Sequence, residues 1–544
     1  MSSKNSTVKW IYRRSKSILP HVIILSLLNV FLSVLLILLA SVSKSIIDAS
    51  GDLSILRKGV TIAIVVILQL LIMFVNSVIN ARASGRLIIS LRNKIFTQII
   101  HKKYSDISKL HSGDILNRMT GDVGLVTSGA VTLIPTLCSM ITKIAVAVYA
   151  LTAVNLTVGI LVVLIGIILP LSARIFGKRY KALSKKVQLS EGKSRSFIQE
   201  SLENSVIIKT FASEDNITDK MNSYLAENYK FKLKHNRLRA LVSTLLNGAF
   251  TFGYYAIIIW AVCINLSYGN LYYILQLITI LRAPLQNVSG VLPKYYSMIA
   301  SAERLMEFEA LEDEPDHLTE KELNYLKDNF SGISVKNLTF RYGEEVILDN
   351  CNLDIERNKL TVITGESGSG KSTLFKLLLG LYTNNEGFIS FDDGTSIDSK
   401  TRKMFSFVPQ GNMILSGTIK DNITLCNHKF SSEDIEKAAK TAEIYEFIKS
   451  LPEGFNTVLS EKGGGLSEGQ IQRLAIARAL LFDAPIILLD EATSALDEQL
   501  EEKILANIKA LTDKTVIFIT HRLKPADISD TVFHLEDKRF IKTK

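Results

Sequence analysis

Residues Leu360–Leu377 read LTVITGESGSGKSTLFKL. An apolar, β-branched strand runs into Gly365-Glu-Ser-Gly-Ser-Gly-Lys371-Ser372, and an apolar helix follows. The spacing, Gly then four residues then Gly-Lys-Ser, stands in the strand–loop–helix context that gives it meaning. Gly365, Gly368 and Gly370 let backbone N–H groups converge on phosphate oxygens, and the helix N-terminus adds its positive end. Lys371 can then reach the β- and γ-phosphates of a nucleotide, and the Ser372 hydroxyl can hold Mg²⁺.

Working outward, Ile486–Leu489 (IILL) ends in Asp490-Glu491. Four apolar residues suit a strand buried on both faces. An acid at its C-terminal end can take Mg²⁺ through water, and Glu491 can polarise an attacking water as general base. Gln410 follows the strand Phe405–Val408 (FSFV). His521 follows Val516–Ile519 (VIFI) and can touch a γ-phosphate. Leu466-Ser-Glu-Gly-Gln470 precedes an apolar helix and suits a second phosphate grip. From about Ser331 onward, short β-branched strands alternate with helices, the pattern of an α/β domain with a largely parallel sheet.

The other half reads differently. Hydrophobic residues make up 47% of the 544-residue chain and charged residues 21%, which fits a chain part membrane and part soluble. A single compact domain and a disordered chain are both excluded. Residues 331–544 carry 26 Lys+Arg against 31 Asp+Glu, whereas residues 1–330 carry 37 against 22. The net charge of +10 is therefore a property of the apolar half, and is read as basic cytoplasmic loops rather than nucleic-acid binding. Cys138, Cys263, Cys351 and Cys426 form no CxxC pair, so free thiols in a reducing compartment are expected. No secretory signal peptide is expected, because the first apolar stretch is too long and no cleavage site follows it.

Six apolar runs are long enough to cross a hydrocarbon core of about 30 Å. They are His21–Val42, Gly59–Ala81, Leu133–Val154, Leu156–Phe176, Leu241–Ile264 and Leu271–Leu292. Two long basic connections follow the second and fourth runs, while the hairpins at Asn155 and Asn265–Asn270 carry no Lys or Arg. The positive-inside rule then puts both termini and both long connections in the cytoplasm. Those connections have helix-type spacing, as in Leu91–Ile95–Ile99, so membrane helices are expected to continue beyond the bilayer. Val8–Pro20 is expected to be an amphipathic interfacial helix. Lys143 and Arg282 fall inside apolar runs. Such charges are costly, and either line a cavity for anionic or peptidic cargo or pair within the bundle.

Together these motifs resemble those of an ATP-binding cassette (ABC) exporter half-transporter over nearly the whole chain. The implied fold is an all-α, six-helix transmembrane domain of the type IV exporter fold, fused to an α/β P-loop NTPase domain. The implied boundaries are 1–310 for the membrane domain, 311–330 for a linker and 331–544 for the ATPase. By resemblance, Tyr342 stacks on adenine. Gly365, Ser367, Gly368, Gly370, Lys371, Ser372 and Thr373 form the Walker A loop. Gln410 is the Q-loop residue and, with Ser372 and Asp490, serves Mg²⁺. Ser467, Gly469 and Gln470 belong to the signature motif, Ser494–Asp497 (SALD) is the D-loop, Glu491 is the catalytic base and His521 the switch histidine. Ser112–Asp122 (SGDILNRMTGD) resembles the first coupling loop, Glu200–Glu214 the second, and Ala302-Glu303-Arg304 the exit from the sixth membrane helix. Two departures stand out: Glu468 where the signature often has Gly, and Ser460-Glu461-Lys462 where a Gly-Glu-Arg loop is common. No peptidase-like stretch precedes the first run, so a leader-cleaving protease is not expected.

The resemblance implies ATP and Mg²⁺, and a head-to-tail dimer in which ATP lies between one Walker A loop and Ser467 and Gly469 of a second copy. Both half-sites are intact, so a homodimer is expected, with a heterodimer as the other arrangement. The expected function is ATP-driven export by alternating access across a bacterial plasma membrane. The cargo reading leans on Lys143 and Arg282 toward a peptide or amphipathic small molecule. A lipid flippase or a non-pumping ATP-gated channel is the alternative. The six spans exclude a soluble DNA-repair ATPase.

Overall fold

The computed structural model describes residues 2–49, 52–411, 414–460 and 464–544. Glu461 and Lys462, in the second departure noted above, lie outside the described residues, as do the side chains of 161–178 within the fourth apolar run. The chain forms two compact units. One comprises Met1–Ile100 and His111–Ala310, the other His101–Leu110 and Leu311–Lys544.

The first unit is helical. Its helices are α1 (Ser2–Ser15), α2 (Leu19–Ile47) and α3 (Asp52–Ile100); α4 (Tyr104–Ile107) belongs to the other unit. Next come α5 (Ser112–Asn117), α6 (Val123–Val154), α7 (Leu156–Glu203), α8 (Ser205–Thr210), α9 (Glu214–Cys263) and α10 (Tyr268–Ala310). Each of the six apolar runs falls on one of the long helices α2, α3, α6, α7, α9 and α10. Among the described residues, four stretches are long and apolar enough to cross a membrane: Ser6–Ile47, Ile55–Ile100, Ser112–Val154 and Glu214–Cys263. At 49 residues, α3 is about 74 Å long, more than twice the hydrocarbon thickness. It therefore carries the first part of one basic connection, residues 82–100, as continuous helix.

Packing within this unit is tightest where α2 and α10 meet α6. Ile37, Ala147, Leu151, Ile274 and Leu277 form a buried cluster there. Leu27, Ile67, Phe74, Ile141 and Phe252 instead face outward, an apolar surface that water would not tolerate at this extent. The turn at Asn155 is tight because its side chain accepts hydrogen bonds from the N–H groups of Thr157 and Val158, capping α7. Near the end of α10, Arg304 forms a forked pair with the buried carboxylate of Asp122, which also accepts from Ser301.

After α4, the second unit resumes at Leu311 and its next helix is α11 (Glu320–Asn329), inside the stretch expected as a linker. A capping box of Thr319 and Glu322 starts this helix, and Leu323 and Leu326 are buried in the unit's core. The strands β1 (Gly332–Tyr342), β2 (Glu345–Glu356) and, after β3 (Leu360–Gly365) and α12 (Lys371–Leu378), β4 (Glu386–Phe391) form an antiparallel sheet ordered β2-β1-β4. The chain continues through β5 (Phe405–Val408), β6 (Gly417–Thr418), α13 (Ile419–Thr424), α14 (Ser432–Thr441), α15 (Tyr445–Ser450) and β7 (Val458–Leu459). It closes with α16 (Glu468–Leu481), β8 (Ile486–Asp490), α17 (Glu498–Lys509), β9 (Thr515–Ile519), α18 (Leu523–Ile528), β10 (Thr531–Glu536) and β11 (Arg539–Lys542). The larger sheet runs β11-β10-β3-β9-β8-β5, parallel throughout except for β11. Every residue of β8 and of β9 is buried, as continuous apolar runs require of central parallel strands.

Candidate functional site

In an open parallel sheet, ligands bind beyond the carboxyl ends of the strands. Here four adjacent strands, β3, β9, β8 and β5, deliver the candidate residues at that edge. Ile363 pairs with Ile519, Ile519 with Asp490, and Leu489 with Val408, so the strands end nearly level. Beyond them lie, in turn, the Gly365–Ser372 loop, His521, Glu491 and Gln410.

The phosphate loop is shaped by its glycines. Gly365 has φ +145° and Gly370 φ +110°, both outside the range of ordinary side chains. A Cβ on Gly365 would lie 2.7 Å from the Leu535 carbonyl oxygen, and one on Gly370 would lie 2.7 Å from Ile347 Cγ2. Gly370 caps α12, whose first N–H groups and positive end face the loop. Lys371 Nζ curls back to donate to the carbonyls of Gly365 at 2.8 Å and Glu366 at 2.6 Å. Lys371 and Thr373 are buried, while Ser367 is exposed at the loop's crown.

Burial pushes the Lys371 amine below its ordinary range, against the pull of Glu491 and Asp490. Burial likewise raises the Asp490 carboxyl, opposed by a hydrogen bond from Ser372 and by Lys371. Asp490 Oδ1 is fully buried and has no hydrogen-bond partner among the described residues. An orphaned carboxylate oxygen beside a serine hydroxyl offers hard oxygen donors, so this pair suits Mg²⁺.

Glu491 gathers its neighbours. Its carboxylate accepts from Gln410 Nε2 at 2.7 Å and lies 3.4 Å from His521 Nδ1. Its backbone N–H donates to Ile519, with φ at +50°. The structure thus brings Lys371, Ser372, Gln410, Asp490, Glu491 and His521 together. Tyr342 ends β1 with its ring over a third exposed, packed edge-on against Phe340 and Tyr382.

Ser467, Gly469 and Gln470 sit elsewhere, at the start of α16. Ser467 Oγ accepts from the Gln470 N–H, and the Gln470 side chain accepts from the Ser467 N–H, a reciprocal capping box. None of the three has a hydrogen bond to the phosphate loop among the described residues. Gly469 is fixed by close packing, since a Cβ there would lie 3.0 Å from the Ala495 carbonyl.

Sequence reasoning missed the residues that join these pieces. Gln472 donates to Ser494 Oγ at 2.8 Å and accepts from the Ala495 N–H, tying α16 to Ser494–Asp497. Arg522, next to His521, donates to the Ser494 carbonyl at 2.7 Å and to the buried Glu501 at 2.6 Å. Thr493 completes the contact with Glu501. Adjacency to His521 marks Arg522, but nothing local separates buried Glu501 from exposed Glu502.

The stretch expected as the first coupling loop, Ser112–Asp122, folds within the helical unit, where α5 is followed by a π-helical turn at Arg118–Asp122. The ten residues before it, His101–Leu110, belong to the nucleotide-site unit. Lys103 N–H donates to the Glu312 carbonyl, and Lys102 pairs with Asp313 at 2.8 Å.

In the helical unit, Arg282 is exposed and donates to Asn247 Oδ1 at 2.7 Å. Lys143 is half-buried on α6. Arg282 thus has a neutral polar partner on α9 while its side chain stays exposed.

Comparison with known proteins agrees with this geometry. Residues 348–494 match the ABC transporter family and residues 19–285 the ABC transporter transmembrane region. The chain is 32% identical to an ATP-dependent lipid A-core flippase of Pasteurella multocida over 520 residues, 92% of this chain and 88% of the other. It is 30% identical to a protein of the same description from Pseudoalteromonas translucida, over 86% of this chain and 82% of the other. Its fold is similar to that of a bacterial Atm1-family ABC exporter with ATP bound, at a TM-score of 0.80 and 23% identity, covering 96% and 95% of the two chains.

Proposed function

Because this chain belongs to the ABC transporter family, as an integral membrane protein that hydrolyses ATP, we propose that it exports an amphipathic, phosphate-bearing lipid. One observation carries the ATP-driven part of the reading: four neighbouring parallel strands end in the phosphate loop, His521, Asp490-Glu491 and Gln410. The description of the similar proteins as lipid A-core flippases favours the lipid alternative over the peptide or amphipathic small molecule that the sequence alone suggested. Exposed Arg282 and half-buried Lys143 suit an anionic headgroup.

Six helices, α2, α3, α6, α7, α9 and α10, span the bilayer, with both termini cytoplasmic. Two copies meet head to tail, so that Ser467 and Gly469 of one face the nucleotide held by the other. Tyr342 stacks on adenine. The N–H groups of the Gly365–Ser372 loop and Lys371 orient and neutralise the phosphates. Ser372, Asp490 and Gln410 would hold Mg²⁺, which when bound would supply charge neutralisation to the phosphates. Glu491 orients a water for in-line attack on the γ-phosphorus and accepts its proton as the P–O bond to the leaving ADP breaks. Gln410 and His521 hold that carboxylate in place. Only the closed dimer makes the Ser467 contacts, so nucleotide binding favours closure, and hydrolysis releases it.

The test is Mg-ATPase activity of the full chain in lipid nanodiscs, wild type beside Glu491→Gln. Phosphorylated glycolipid, cationic peptide and neutral hydrophobic drug would each be added. Activity lost in the variant and raised by the glycolipid alone is the expected result. A folded, dimeric wild type without activity overturns the pump; stimulation by peptide alone overturns the lipid cargo.

A further inference from the structure

Tyr382 lies three residues beyond the Leu379 cap of the phosphate-loop helix α12, in a turn closed by Leu381 N–H donating to the Lys376 carbonyl. Its ring meets three others edge-on. Tyr342 is 5.3 Å away at 87°, Phe340 5.8 Å at 65°, and Tyr104 5.7 Å at 89°. Its hydroxyl is 3.1 Å from Ser108 Oγ. Tyr104 and Ser108 belong to His101–Leu110, the short segment joining α3 to α5.

Among the described residues, two attachments of this segment stand out. One is to Leu311–Glu314, through Lys102, Lys103 and the Glu314 N–H to His101 carbonyl bond; the Glu314 carboxylate is held by Arg402, which also donates to the Leu379 and Gly380 carbonyls at the end of α12, but none of these groups lies at Tyr342. The other is to Tyr382, which touches the adenine platform on one flank and rides on the phosphate helix from the other. A base stacked on the open face of Tyr342 limits rotation of that ring. Since Tyr342 leans edge-on against Tyr382, the constraint passes to the ring and hydroxyl that hold Tyr104 and Ser108. A ligand shifts such an equilibrium only through contacts that differ between its states. The adenine-dependent contact is the one at Tyr342.

We propose that Tyr382 is a positioning residue that relays adenine occupancy at Tyr342 to the His101–Leu110 segment, through its ring contacts and its hydroxyl bond to Ser108. The proposal rests on the reading of Tyr342 as the adenine platform. It separates two signals carried by one nucleotide: the phosphates act at the Gly365–Ser372 loop, and the base acts on the segment between α3 and α5.

Hydrogen exchange with mass spectrometry tests it on the full chain in nanodiscs, in the Glu491→Gln background, with Mg–ATP and Mg–tripolyphosphate as probes. Both are expected to protect peptides covering 365–378. ATP alone is expected to slow exchange over 101–110, by about fivefold, the equivalent of one net hydrogen bond. Tyr382→Leu should erase that slowing and leave the 365–378 protection intact. Tyr382→Phe keeps the ring and removes the Ser108 bond, so its slowing should fall between the two. The relay is overturned if tripolyphosphate slows 101–110 as much as ATP does, or if Tyr382→Leu slows like wild type. Should Tyr382→Leu fail to fold, full wild-type slowing in Tyr382→Phe overturns it. Loss of protection at 365–378 in the parent protein with both probes would instead refute the nucleotide site itself.

Discussion

The side-chain amide of Gln410 donates to Glu491 Oε2 at 2.7 Å, across the ends of the neighbouring strands β5 and β8. The two residues are 81 positions apart, and parallel pairing alone brings them together. Glu491→Gln removes the proton acceptor while keeping the shape, so steady-state ATPase should fall roughly 10²–10⁴-fold with nucleotide binding retained. Gln410→Ala should cost less, since His521 still borders the carboxylate. Turnover in Glu491→Gln above a tenth of wild type would show that another group accepts the proton.

Asp490 is held at a cost to the apo fold. Its carboxyl is raised by burial, so the folded state resists its ionisation more than the unfolded state does. The sign follows by linkage. The penalty is full above the raised folded value and fades as pH falls through it toward the ordinary carboxylate range. Asp490→Asn should therefore melt higher than wild type without nucleotide at neutral pH, and the gap should shrink on acidification. Thermal unfolding at several pH values checks this. A gap that widens toward low pH would contradict it. The same variant should lose Mg²⁺-dependent nucleotide binding.

Glu501 is buried and Arg522 is its counter-ion at 2.6 Å, with Arg522 about a third exposed. Arg522→Ala leaves an uncompensated interior charge, expected to destabilise the nucleotide-site unit by about 3 kcal/mol. Arg522→Ala with Glu501→Gln should recover part of the loss, because the amide carries no charge. Equal melting of the single and double variants would remove the ion pair from the account.

For cargo, Arg282→Ala and Lys143→Ala should each raise the glycolipid concentration needed for half-maximal ATPase stimulation. A shift of roughly tenfold corresponds to one charge-assisted hydrogen bond. Basal ATPase should stay near wild type. Unshifted curves in both variants would place the headgroup elsewhere.

The chemistry was legible wherever it was contiguous. The phosphate loop and Asp490-Glu491 each pair a strand with the residues just beyond it, so one window of sequence holds both scaffold and function. The helical continuation of the run through Leu91, Ile95 and Ile99 was readable for the same reason, since its period is local. Contacts between distant windows were not readable. Gln472 with Ser494, Arg522 with Glu501, and Tyr382 with Ser108 join short polar or aromatic residues whose own neighbourhoods are ordinary. Composition singled out Ser112–Asp122, and nothing in the local sequence marked His101–Leu110 as part of the nucleotide-site unit. His101–Leu110 shows its allegiance only through partners such as Glu312, Asp313 and Tyr382.

That discontinuous unit has a consequence for biosynthesis. Ser108 and Tyr382 are 274 residues apart, and at about 5–20 residues per second the ribosome needs roughly 14–55 s between them. His101–Leu110 emerges while α6 to α10 are still to be made, and must wait bare until the strands and α12 exist. A nucleotide unit translated from Leu311 onward would never receive it, and would expose Tyr382 to solvent as a sticky aromatic edge. The nucleotide-site unit is thus completed only late in synthesis, and the docking of its early segment is the step most open to a chaperone or to misassembly.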